Sequence, residues 1–242
     1  MNTSLAASLS LVREAATEIY RRRLGVLQAS IIPVLGILVL TEVSDEYVVS
    51  TAGNIAIAVA SLPLYVIFAT ICHRLVLLGD SAIPNPWGLF WSERETRFAG
   101  WSLIIGLLYF ALSLPVMIIM QVFPKSGFGL NLTWLATYSS YIFVAYFEGR
   151  FSLVLPATAI GKQLDLKGSW ALSHTKGMVI AFALVIPALV LDITDYFVVS
   201  RLLNGNALYA DLVWWLLTFP VLAVEVAVIS IAYSKLIAAN PP

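Results

Sequence analysis

The sequence predicts an all-α, polytopic integral membrane protein with six transmembrane helices, arranged as three related helical hairpins that each follow an amphipathic inner-face segment. Three observations carry that expectation. Of 242 residues, 60% are hydrophobic and 12% charged, with a mean hydropathy of +0.89, which is more apolar surface than a soluble core of this size hides. Six apolar stretches approach the roughly 20 residues that cross about 30 Å of hydrocarbon. The basic residues crowd the loops on one side of those stretches, as cytoplasmic retention of Lys and Arg requires.

The opening segment is amphipathic and ends in Arg21-Arg22-Arg23. It lacks the basic start, apolar middle and small-residue cleavage site of a secretory signal, so Met1 is read as the mature start. The apolar stretches then cover 24–40, 52–72, 98–123, 130–147, 178–191 and 208–232. The first and fifth are short and are expected to borrow a turn from their flanks. Pro33, Pro63, Pro115, Pro187 and Pro220 interrupt five of them, which predicts kinked helices whose freed carbonyls find partners within the protein.

Assigning alternate loops to opposite sides places Arg13, Arg21, Arg22, Arg23, Arg74, Arg94, Arg97, Arg150, Lys162, Lys167, Lys176 and Lys235 on one side and only Lys125 and Arg201 on the other. Twelve against two puts both termini in the cytoplasm. The outer side collects Glu42, Asp45, Glu46, Asp192, Asp195 and Asp211. All seven Trp residues fall near predicted span ends, where an amphipathic indole favours the interface.

The chain forms a single transmembrane domain, 1–242, with approximate repeats over 1–80, 81–162 and 163–242. Gly25, Gly100 and Gly177 follow the amphipathic segments, and Arg74, Arg150 and Lys235 end the return spans. Tyr65-Val66-Ile67-Phe68-Ala69 before Arg74 matches Tyr141-Ile142-Phe143-Val144-Ala145 before Arg150. The outer turns Glu42-Val43-Ser44-Asp45 and Asp192-Ile193-Thr194-Asp195 also correspond.

Few residues carry chemistry. The net charge is zero, so no bulk attraction to nucleic acid follows. Cys72 stands alone, with no disulfide partner and no ligand spacing for zinc, and no cofactor motif occurs. Glu225 is the charge expected well inside a span, ten residues before Lys235, about 15 Å of helix rise. It reads either as a proton or cation relay or as a paired group locking helix packing. The sequence favours the lock, because no second intramembrane carboxylate continues a relay. His73, Arg74, Glu148, Arg150 and Lys235 are candidates for an inner-face ring holding a lipid phosphate or a partner. The alternative is snorkelling cations with a local Glu148–Arg150 contact. Glu42, Asp45, Asp192 and Asp195 offer oxygen ligands to a hard cation, though the same motif suits a helix start, with Ser44, Asp45, Thr194 or Asp195 capping exposed amides.

The stretch from Arg150-Phe151-Ser152-Leu153-Val154-Leu155-Pro156-Ala157 through Leu166-Lys167-Gly168-Ser169-Trp170-Ala171-Leu172-Ser173 resembles a recurring pattern in bacterial six-span proteins. It looks like the YciC-like group and the membrane domain joined to some glycerophosphoryl diester phosphodiesterases. The resemblance implies a bacterial inner-membrane location and transfers no catalytic residues. On this reading the chain is not an enzyme. It is expected to be an accessory or scaffold subunit packing against lipids and another integral membrane protein, with a small transporter or channel built around Glu225 as the alternative.

Overall fold

The structure is a computed structural model that describes residues 2–47, 51–80, 91–122, 129–194 and 207–240. Among these, side chains at the helix ends 41–47, 129–138 and 207–212 lie outside the described ones. The elements of the described residues are helices: α1 (Asn2–Arg21), α2 (Arg23–Tyr47), α3 (Thr51–Leu78), α4 (Glu93–Val122), α5 (Gly129–Phe151), α6 (Val154–Ala159), α7 (Leu166–Leu172), α8 (Gly177–Thr194) and α9 (Ala207–Ala239).

Among the described residues, five stretches are long and apolar enough to cross a membrane: Arg23–Leu40, Val59–Leu78, Glu93–Pro115, Gly177–Thr194 and Leu216–Ala239. The stretch expected at 130–147 lies within α5, 23 residues long. Helix α4 shows why lipid is needed. Only 11% of its Glu93–Pro115 window is buried, and Leu103, Leu107, Phe110 and Leu114 are exposed along it. A ridge of that size left in water would be strongly unfavourable.

Helix α1 buries Ser8, Leu11, Ala15 and Ile19, a stripe at three- and four-residue spacing. That stripe packs on α8 and α9, and the Ser8 hydroxyl donates to the Val179 carbonyl at 2.9 Å. At the end of α1, Glu18 pairs with both Arg21 and Arg22, and Arg22 also reaches Asp80 at 3.2 Å. Burial alone would lower the Arg22 pKa, but these two carboxylates outweigh it and leave the pKa raised.

Helix α9 is the central post, touching α1, α2, α3, α6 and α8. Ala223, Ala227 and Val228 are fully buried along it, and such small residues let backbones approach closely in a membrane. Phe219 meets Phe68 edge-on at 4.9 Å. Helices α2 and α3 pack with Gly25 against Leu75 and Gly36 against Leu64, so they run side by side in opposite directions. All five span prolines lie inside continuous helices.

Two sequence expectations about local structure need correction. Ser44 and Asp45 do not open a helix, because α2 runs through them to Tyr47. Thr194 is likewise no N-cap: it ends α8, and its hydroxyl donates back to the Val190 carbonyl at 2.7 Å. Both helices continue beyond the apolar stretches 24–40 and 178–191.

Candidate functional site: an acidic cavity between membrane helices

Helix α5 presents Tyr141, Ala145 and Glu148 on one face, at i, i+4 and i+7. Helix α8 presents Leu184, Ala188 and Asp192 at four-residue intervals. Together with Tyr109 of α4 and Glu225 of α9, these residues line a cavity of about 180 Å³, room for several water molecules. Three carboxylates from three helices therefore border one space.

Glycines set this arrangement. A Cβ on Gly149 would lie 2.8 Å from the Ile180 Cγ2, and one on Gly177 would lie 3.0 Å from both Arg150 and Tyr146. Without side chains at these points α5 and α8 approach closely, and the Glu148 face meets the α8 stripe. The contacts also fix depth. Tyr146 and Arg150 pack at the start of α8, while Asp192 lies near its far end. Leu184 and Asp192 are eight residues apart, about 12 Å at 1.5 Å per residue. The cavity thus extends along α8.

Among the described residues, no Lys, Arg or His lines this space and neither Glu148 nor Glu225 joins a salt bridge. An uncompensated charge at a helix centre costs about 2.5–3.5 kcal/mol on insertion scales. A proton or a small cation entering the cavity would balance charge on Glu148 and Glu225. Among the described residues no group of three or more His, Cys, Asp or Glu is gathered tightly enough to hold a metal ion. The carboxylates are strung along the cavity.

The sequence shows no second intramembrane carboxylate to continue a relay from Glu225; in the structure Glu148 and Asp192 border the same cavity as Glu225. Glu148 was read with Arg150, but residues two apart on a helix face different sides. Glu148 turns to the cavity, while Arg150 is buried elsewhere, 3% exposed. Its Nε donates to Ser173 Oγ at 3.1 Å, one terminal nitrogen to the Tyr146 hydroxyl at 2.9 Å, and the other to the Trp170 carbonyl at 2.5 Å. The guanidinium carbon also lies 3.5 Å from the Trp170 ring centre. In return, Ser169 donates to the Arg150 carbonyl at 2.6 Å. Trp170 is accordingly a partner for Arg150 as well as an interfacial side chain.

The rest of the expected inner-face ring is divided among separate contacts. His73 is 1% exposed, with Nδ1 at 2.7 Å from Ser230 Oγ. Since the Ser230 hydroxyl donates to the Val226 carbonyl at 2.8 Å, Nδ1–H is the donor to Ser230. Lys235 pairs with Glu14 of α1, and Arg74 is half-buried near the C-terminal end of α3. Among the weak cation candidates, Asp192 borders the cavity, Asp195 lies outside the described residues, and the Glu42 and Asp45 side chains lie outside the described ones. Cys72 is buried in the main core.

Sequence reasoning missed Tyr109, Glu148 and Asp192 as members of one site. A signal existed: Tyr141, Ala145 and Glu148 form a helical stripe, as do Leu184, Ala188 and Asp192. Compared with protein-family models, curated proteins and solved structures, the chain has no match.

Proposed function

We propose that this protein is a small membrane transporter or channel that passes protons or a small monovalent cation through the cavity bordered by Glu148, Glu225 and Asp192. The observation that carries this reading is the convergence of three carboxylates from α5, α8 and α9 on one cavity with no basic lining among the described residues. Chains of carboxylates at membrane depth serve as relays because each can hold and release positive charge. Tyr109 and Tyr141 supply hydroxyls that can bridge such steps.

The topology is part of the proposal: six spans, three related hairpins, a bacterial inner membrane, and both termini in the cytoplasm. What supports a common side for the termini is the Lys235–Glu14 ion pair, which joins the last helix to the first. What supports a sixth span is the length of α5. Kinship with the YciC-like group rests on the motif from Arg150 to Ser173 and belongs to the same proposal.

The test is flux in proteoliposomes carrying a pH-sensitive dye, driven by a potassium diffusion potential, with sodium flux followed in parallel. Proton or sodium entry that falls about 100-fold or more in Glu225→Gln, the scale of one lost proton-transfer group, is the expected result. Absence of flux in the native chain, or flux unchanged by both Glu225→Gln and Glu148→Gln, overturns the reading.

A scaffold role is the second reading, favoured by the exposed apolar length of α4. A membrane partner retained at fixed stoichiometry through purification, with flux absent, would establish it in place of transport.

A further inference from the structure

One stripe of α4 runs through Arg97, Trp101, Ile104, Leu108 and Leu112, three or four residues apart and so on a single face. Its first half borders a cavity of about 780 Å³ that Arg94 and Lys162 also line. Its second half borders an apolar groove of about 540 Å³ shared with Phe147, Phe151 and Trp170. Ile104 and Leu108 are one helical turn apart, so the two spaces adjoin along the helix. The basic end is charged and the other end is greasy, in the order met on passing from the headgroup layer into the hydrocarbon.

The charges at the basic end are held in place. Glu93 fixes Arg97 through a 2.6 Å contact. The Arg94 Nε is buried and lacks a hydrogen-bond acceptor, although Glu95 is 3.4 Å away. Gly161, at φ +76, turns the chain after α6 and delivers Lys162, which joins no salt bridge among the described residues. Of the acids lining the same cavity, Glu93 is engaged with Arg97, and Asp165 caps α7 by accepting from the Gly168 amide at 2.7 Å. Trp101, half-buried between the two ends, sits where an indole favours the membrane interface.

We propose that this composite surface binds one anionic phospholipid. Its phosphate lies among Arg94, Arg97 and Lys162, and one acyl chain lies along Ile104, Leu108 and the aromatic wall of α5 and α7. Basic pockets at the cytoplasmic ends of spans recognise such headgroups. A free phosphate would satisfy the cations but would leave the adjoining groove unused, so the lipid is the ligand that accounts for both halves.

The experiment is native mass spectrometry of the full chain, offered phosphatidylglycerol and phosphatidylcholine of identical chains, with inorganic phosphate as competitor. The expected result is retention of phosphatidylglycerol over phosphatidylcholine by about ten-fold or more, the scale of several interfacial cations acting together. That preference should vanish in R94Q/R97Q/K162Q. Ala111→Trp, at an exposed position lining the groove, should weaken both lipids without disturbing the fold. Equal retention of the two lipids by the native chain, a preference that survives the triple substitution, or displacement of phosphatidylglycerol by equimolar inorganic phosphate overturns the proposal.

Discussion

The guanidinium of Arg150 lies against the indole of Trp170, 3.5 Å from the ring centre, while one of its terminal nitrogens donates to the same residue's carbonyl. With Tyr146 and Ser173 as its other partners, Arg150 ties the end of α5 to α7. Lysine offers neither the planar fork nor the stacking surface. Arg150→Lys is therefore expected to cost about 2–4 kcal/mol through lost bonds and buried groups left unpaired. Thermal unfolding in detergent measures it, and an unchanged midpoint would contradict the account.

Close approach of α5 and α8 depends on Gly149. A Cβ there meets the branch methyl of Ile180 at 2.8 Å, and a β-branched side chain has little freedom to yield. Gly149→Ala should lower stability by about 1–3 kcal/mol and reduce flux through the neighbouring cavity. Gly106→Ala is the control: nothing lies within 4 Å of its added Cβ, so better helix propensity should raise stability by up to about 1 kcal/mol. Equal effects from both substitutions would show that the α5–α8 distance is not set by Gly149.

His73 and Ser230 form a buried polar pair linking α3 to α9. Removing the hydroxyl in Ser230→Ala strands the imidazole N–H, a loss of about 1–3 kcal/mol. Replacing both partners with apolar residues of similar shape should recover much of that loss. A double variant that is less stable than the single one would refute the pairing.

If Glu148 and Glu225 act in one cavity, their losses are not independent. Each single Gln substitution should cut flux about 100-fold or more, and the double should be little worse than the more damaging single. Multiplicative losses, measured in the same liposomes, would assign the two carboxylates to separate steps.

Lys235 and Glu14 are both partly exposed, 57% and 46% at the side chain. A pair in such surroundings contributes little, so Glu14→Gln should shift stability by less than about 1 kcal/mol. A larger loss in a salt-dependent melt would mean that the contact between α1 and α9 rests on this ion pair.

By itself the sequence determined that the chain is helical and apolar enough for a membrane, and five of its six expected spans overlap stretches the structure shows to be long and apolar enough. These properties are carried by composition and by runs of neighbouring residues, so they are readable along one dimension. It also exposed Glu225, because a lone charge in an apolar run is conspicuous without any fold. What only the tertiary structure decided is which polar groups meet. Glu148 looked like the partner of Arg150 because they are two residues apart. Helical geometry sends them to opposite sides, Arg150 to Trp170 and Glu148 to a cavity whose other walls come from α4, α8 and α9. That meeting depends on glycines that let helices distant in sequence approach, and the identity of a facing residue on another helix is not encoded in local spacing.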